Sequence, residues 1–126
     1  MAGNGSKGED FAAEMLEKSG LTILRRNYKK RWGEIDLIAQ DGEYIAFVEV
    51  KTRRQGGLVS PLEAVTLTKQ RRLLATAACF LAENPLDLQP RFDVFEILTQ
   101  GKENFSVVRF QYIKGAFDAN EHNRFY

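Results

Sequence analysis

Three charged residues stand in apolar surroundings in GEIDLIAQDGEYIAFVEVKTR, residues 33–53: Asp36, Glu49 and Lys51. An inward carboxylate on a half-buried strand costs several kcal/mol unless something pairs with it. Two carboxylates close together also resist joint ionisation. A hard divalent cation relieves both penalties. Oxygen ligands with room for water suit Mg²⁺ or Mn²⁺, whereas zinc would call for cysteine or histidine. The single cysteine, Cys79, lies in an apolar helical run as a small hydrophobe, and the single histidine, His122, lies in a polar C-terminal stretch. A metal held by two carboxylates with a lysine beside it is suited to phosphodiester hydrolysis. The metal polarises a phosphoryl oxygen and acidifies a bound water, while Lys51 orients that water or stabilises developing negative charge. The competing reading is a plain ion pair of Lys51 with Glu49 or Asp36. Glu-x-Lys alone is a weak motif, and its weight here comes from the flanking apolar strand, the upstream Asp36 and the basic surroundings together.

Those surroundings are uneven in charge. The whole chain of 126 residues carries a net charge of +1, but residues 21–72 hold 11 Lys+Arg against 6 Asp+Glu. The excess sits in three clusters: Arg25, Arg26, Lys29, Lys30 and Arg31; then Lys51, Arg53 and Arg54; then Lys69, Arg71 and Arg72. Such a zone fits a polyanion such as nucleic acid, although solvated charge on a surface gives the same pattern. With Thr68 as an N-cap, Lys69, Arg71 and Arg72 fall in the first turn of a helix, where cations oppose the macrodipole. A phosphate at that end would turn the penalty into attraction. The loop at Gly56-Gly57 and the first cluster would grip adjacent phosphates.

The elements that must hold these residues can be read from periodicity and punctuation. Asp41-Gly42 is a tight-hairpin signature. With those two as the central residues, Asp36 faces Phe47 and Glu34 faces Glu49, so Asp36, Glu49 and Lys51 share one face, with Asp36 diagonal to Glu49 at about 7 to 8 Å. Upstream, Ser6 with Glu9 forms a capping box for a helix carrying Phe11, Ala12, Met15 and Leu16 and stopped by Gly20. Glu9 either completes that cap or, at the end of the packing face, joins the carboxylates. LTILRRN is a strand. Ser60-Pro61-x-Glu63 repeats the capping pattern, and Leu73, Ala77, Phe80 and Leu81 mark one face of a helix from Lys69 to about Glu83. Two strands follow, RFDVFEILT and NFSVVRFQYI, with a turn at Gln100-Gly101. The order αβββαββ indicates an α/β fold, a mixed sheet with helices packed on it, in one domain over residues 1–118 with a polar tail at 119–126. The longest apolar run, LLATAACFLA, is half the length of a membrane-spanning helix, and no leader pattern opens the chain, so the expected location is the cytoplasm, away from membrane.

Asp36 followed after a hairpin by Glu49-Val50-Lys51 resembles the D…(D/E)-x-K core of the restriction-endonuclease-like nuclease superfamily. Gly8-Glu9, RRN at 25–27, GEIDLIA at 33–39, FVEVKTR at 47–53, Glu63, Lys69 and RFDV at 91–94 together resemble the YraN-like family of uncharacterised bacterial proteins. The resemblance implies a restriction-endonuclease-like central mixed sheet flanked by helices, similar to archaeal Holliday junction resolvases, and a divalent-metal nuclease site acting on branched or single-stranded DNA. In that site Asp36 and Glu49 would be metal ligands with the Val50 carbonyl as a third, Lys51 the catalytic lysine, and Glu9 the added helix glutamate. A related resolvase would work as a homodimer. Ile35 stands where a proline often precedes the aspartate. The alternative is a nucleic-acid-binding module that keeps the nuclease core without cleavage.

Overall fold

A computed structural model describes residues 4–54, 66–100 and 105–117. The elements are α1 (Asn4–Lys18), β1 (Thr22–Lys30), β2 (Gly33–Asp41), β3 (Tyr44–Arg54), α2 (Leu67–Glu83), β4 (Gln89–Gln100) and β5 (Ser106–Phe117). This is the expected α/β order, αβββαββ. The strands form one sheet in the order β1-β2-β3-β4-β5, antiparallel except for the parallel pair β3/β4. A parallel pair needs a long crossover, and the chain from β3 to β4 passes through α2.

Each helix covers one face. Ala12, Ala13 and Leu16 of α1 pack with Leu37, Ala39, Ala46, Val48, Phe95 and Ile97. Leu73, Ala77 and Phe80 of α2 pack with Ile38, Ile45, Phe47, Phe92 and Val94. The central strand β3 is therefore buried on both sides, which is why IAFV reads as a continuous apolar run and not as alternation. Leu81 is only half-buried at the edge of the α2 face, and Thr76 takes an inner place, its hydroxyl satisfied by the Arg72 carbonyl at 2.7 Å. Cys79 is likewise half-buried.

Several boundaries differ from the sequence expectation. Helix α1 begins at Asn4, so Ser6 lies inside it and does not cap it. The first turns are held by packing: a Cβ on Gly8 would come within 2.4 Å of Thr52 Oγ1. The other end is as expected. Gly20 takes φ +96°, and the pair Leu21 N–H to Leu16 O (3.0 Å) with Gly20 N–H to Glu17 O (3.0 Å) closes a Schellman motif. Strand β1 runs past Asn27 to Lys30, so most of the first basic cluster lies on a strand. The N-cap of α2 is Thr66, not Thr68, with its hydroxyl accepting from Lys69 N–H at 3.2 Å. Lys69 is then the third helical residue and Arg71 and Arg72 lie in the next turn. The Ser60-Pro61 cap, the Gly56-Gly57 loop, Gly101, and the tail with His122 lie outside the described residues.

The hairpin register also moves. Asp41 pairs with Tyr44 and Ile38 with Phe47, so the central turn residues are Gly42 and Glu43. Gly42 supplies φ +61°, the positive value the first central position of a type II′ turn requires. Asp41 is held in the strand by Arg91 at 2.8 Å and Lys114 at 3.0 Å, which draws the turn one residue onward. The pairings shift by two, so the face assignment survives. Asp36 and Glu49 become direct opposites just past the last paired rung, Leu37 with Val48, in place of the expected diagonal.

Candidate metal centre and nucleic-acid cleft

Asp36 interrupts the regularity of β2. The rung between Arg26–Leu37 and Tyr28–Ile35 is missing, and its β1 member, Asn27, takes φ +51°. Beyond this distortion Ile35 joins the α2-side core together with Ile38, although strict alternation would send it to the other face. The Asp36 carboxylate is left beside the end of the β2/β3 ladder. Its Oδ2 accepts from Val50 N–H at 2.8 Å, and Oδ1 has no hydrogen-bond donor among the described residues. Burial, the charge of Glu49 and, more weakly, those of Glu9 and Glu34 outweigh the Val50 hydrogen bond and push the Asp36 carboxyl up to about 7.

Glu49 is compensated differently. Its side chain is 8% exposed, and Oε1 lies 2.6 Å from Lys69 Nζ and 3.4 Å from Lys51 Nζ. Burial, together with the adjoining Lys69 ammonium, holds Lys51 below the usual lysine range, although Glu49 opposes this. Burial also works against charge on Lys69, but its hydrogen bond to Glu49 prevails and raises it. The sequence places Lys69 among the phosphate-binding cations, and in the fold it completes a group of two carboxylates and two ammoniums. No pattern of spacing announces this, because the contact joins β3 to α2 across the β3–β4 crossover.

Asp36, Glu49 and Lys69 line a cleft of about 920 Å³ between the β1–β2 turn and the start of α2. Lys29, Lys30, Arg31 and Arg72 contribute to its walls, as does Trp32. Of these cations, Lys29 pairs with Glu34 at 3.3 Å and Lys30 with Glu83 at 2.6 Å. Arg31 and Arg72 have no ion-pair partner among the described residues. The other basic residues lie elsewhere: Arg25 over the Tyr28 ring, Arg26 on Asp10 at 2.5 Å, and Arg53 on Glu96 at 3.3 Å. Arg54 and Arg71 are exposed and do not line the cleft. Glu9 sits on α1, over the opposite face, and reaches the site through its charge on Asp36.

No group of three acidic, histidine or cysteine side chains gathers for a metal among the described residues. A cation here would be held by Asp36 Oδ1, Glu49, a peptide oxygen such as that of Val50, and water. That set fits Mg²⁺, which commonly keeps several waters and takes one or two carboxylates. The open Asp36 oxygen and the elevated pKa of that carboxyl are what such a cation would relieve.

A second buried carboxylate, Asp93, stands in the sequence within RFDV, with nothing there to mark it as a site. Its side chain is fully buried on the α1 face, with Arg91 Nε at 3.0 Å and Gly115 N–H at 2.9 Å, and it also accepts from the Tyr112 hydroxyl. Gly115 takes φ +63° at a bulge opposite Asp93.

No helix is long and apolar enough to cross a membrane among the described residues. Residues 8–97 match the model of a family described as Uncharacterised protein family UPF0102. A UPF0102 protein of Symbiobacterium thermophilum is 53% identical over 94 residues, covering 74% of this chain and 80% of that one. One from Syntrophotalea carbinolica is 44% identical over 117 residues, 92% of each chain, and one from Rhodococcus opacus is 47% identical over 95 residues, 75% and 80%.

Proposed function

From a chain that belongs to the UPF0102 family, whose name carries no activity, we propose a divalent-metal-dependent nuclease with a restriction-endonuclease-like core that hydrolyses DNA phosphodiester bonds. The observation that carries this reading is the buried Asp36–Glu49 pair, with one Asp36 oxygen open, lining a cleft that has lysine and arginine on its walls. When bound, Mg²⁺ or Mn²⁺ would polarise a phosphoryl oxygen and acidify water. The chain's own groups supply the rest. Lys51 orients the attacking water, and solvent in the cleft takes up the proton that water loses. Lys69 stabilises charge gathering on the phosphate in the transition state. Arg31 and Arg72 hold the flanking phosphates. As the phosphorus–oxygen bond to the leaving group breaks, solvent in the cleft returns a proton to that oxygen.

A second reading, a nucleic-acid-binding module that does not cleave, draws on the Lys69–Glu49 contact, since two ammoniums on one carboxylate can serve as a static ion pair. The two readings part in one experiment. Purified protein is incubated with Mg²⁺ or Mn²⁺ and duplex, single-stranded, flap and four-way DNA, with Glu49→Ala as control. Metal-dependent cleavage that disappears in Glu49→Ala supports the nuclease. Binding without cleavage supports the module.

A further inference from the structure

The β1–β2 turn carries an aromatic residue that neither the metal centre nor the phosphate-binding cations use. Arg31 and Trp32 are the two residues between Lys30 and Gly33, which pair across the turn. Trp32 is 46% exposed and lines the same cleft as Asp36 and Glu49. A large exposed indole on a two-residue turn has no role in the core.

The turn is braced. A Cβ on Gly33 would come within 2.6 Å of Thr76 Oγ1 and 3.2 Å of the Arg72 carbonyl, so the backbone at 33 lies directly against α2. The neighbouring strand is anchored as well: Tyr28 donates to Glu83 at 2.5 Å and packs edge-on against Phe80. Trp32 is thus presented from a fixed support, with Lys29 and Arg31 beside it and three carboxylates, Glu34, Asp36 and Glu49, in the same cleft. An apolar protein partner would meet a cationic wall there. A nucleotide would meet cations for its phosphates and an indole face for its base, the combination used by single-strand-binding surfaces.

We propose that Trp32 stacks on an unpaired DNA base and so directs the cleft to single-stranded or frayed segments in preference to intact duplex. In a duplex both faces of every internal base are already stacked, and the indole gains nothing there without extruding one. The inference rests on the nucleic-acid reading above and adds the class of strand.

Trp32 is the chain's single tryptophan, so its fluorescence reports on this position alone. The test titrates oligothymidylate, and separately a blunt duplex, into the protein without added metal, following tryptophan emission and the anisotropy of a dye on the DNA. Oligothymidylate should quench the emission saturably with the same midpoint as the anisotropy, and duplex should not. Trp32→Ala should weaken oligothymidylate binding about tenfold and leave duplex binding unchanged, while Trp32→Phe keeps most of the affinity. Binding seen by anisotropy, with unquenched emission and unchanged affinity in Trp32→Ala, overturns the stacking role and leaves the nucleic-acid reading standing. Absence of binding to either DNA overturns both.

Discussion

Asp36 and Asp93 are both buried in the same sheet, and they are treated in opposite ways. In the parallel register Val48 pairs with Asp93 and Glu49 with Val94, so the Asp93 and Glu49 carboxylates sit one rung apart on opposite faces. Asp93 has both oxygens filled, by Arg91, Tyr112 and the Gly115 amide. Arg91 is also fixed to Asp41 at 2.8 Å, and Asp93 and Asp41 raise its pKa in spite of burial. Asp36 has one amide donor and a carboxylate neighbour. A buried charge whose hydrogen-bonding capacity is exhausted serves the fold, whereas one left half satisfied beside a like charge holds interaction energy for something that binds. The same sheet thus supplies its own control for the functional reading.

The sharpest way to break the comparison is to remove Asp93. Asp93→Ala leaves Arg91 with Asp41 as its one remaining carboxylate and frees the Gly115 amide and the Tyr112 hydroxyl. A loss of about 3 to 5 kcal/mol is expected in chemical denaturation at neutral pH. A loss under about 1 kcal/mol would show that the network is not structural, and the contrast with Asp36 would collapse.

Asp36→Asn should act in the opposite direction. The folded-state pKa, about 7, lies above the ordinary 3.8, so the folded chain holds that proton more tightly than the unfolded one. The Asp36 carboxyl therefore costs nothing below about pH 4 and destabilises progressively as pH rises through 7. Asparagine keeps an acceptor for Val50 N–H and carries no charge. In metal-free buffer the variant should match wild type near pH 4 and exceed it by on the order of 2 to 4 kcal/mol at pH 8. Mn²⁺ at pH 8 should stabilise wild type by linkage and leave the variant unmoved. Equal pH profiles for the two proteins, or equal Mn²⁺ shifts, would place Asp36 in the same class as Asp93.

Much of this contrast is legible in the sequence, and the rest is hidden for identifiable reasons. Asp36, Glu49 and Lys51 stand out because each breaks an apolar strand, and their shared face survives the displaced turn because a shift of two pairings preserves side-chain parity. The turn itself is displaced because Asp41 is held by Arg91 and Lys114, which belong to distant strands. The same long-range logic conceals Lys69, whose partner lies 20 residues earlier on β3. Thr68 looks as good a cap as Thr66, since both precede the apolar run and only the backbone chooses between them. Trp32 does leave a signal, a lone aromatic immediately after a basic run. Asp93 resembles Asp36 in the sequence, each carboxylate having apolar neighbours, and only its donors tell the two apart.

The smallest expected effect on stability tests the cations on either side of the comparison. Around Asp93 they are committed internally: Arg91 to Asp93 and Asp41, and Lys114 to Asp41. In the cleft, Arg31 and Arg72 have no ion-pair partner among the described residues and are exposed. Replacing both with Gln breaks no ion pair among the described residues, so stability should stay within about 0.5 kcal/mol of wild type. DNA affinity should nevertheless fall. The slope of log affinity against log salt should flatten by up to about 0.9 for each duplex phosphate no longer neutralised, or about 0.7 on a single strand. Lys114→Gln is the matched control: it removes a cation of the Asp41 cluster and should leave the slope unchanged. A slope insensitive to Arg31 and Arg72 but lowered by Lys114→Gln would move the nucleic-acid surface to the Asp93 side of the sheet, away from the carboxylate pair. The cleft would then no longer be the place where DNA meets Asp36 and Glu49.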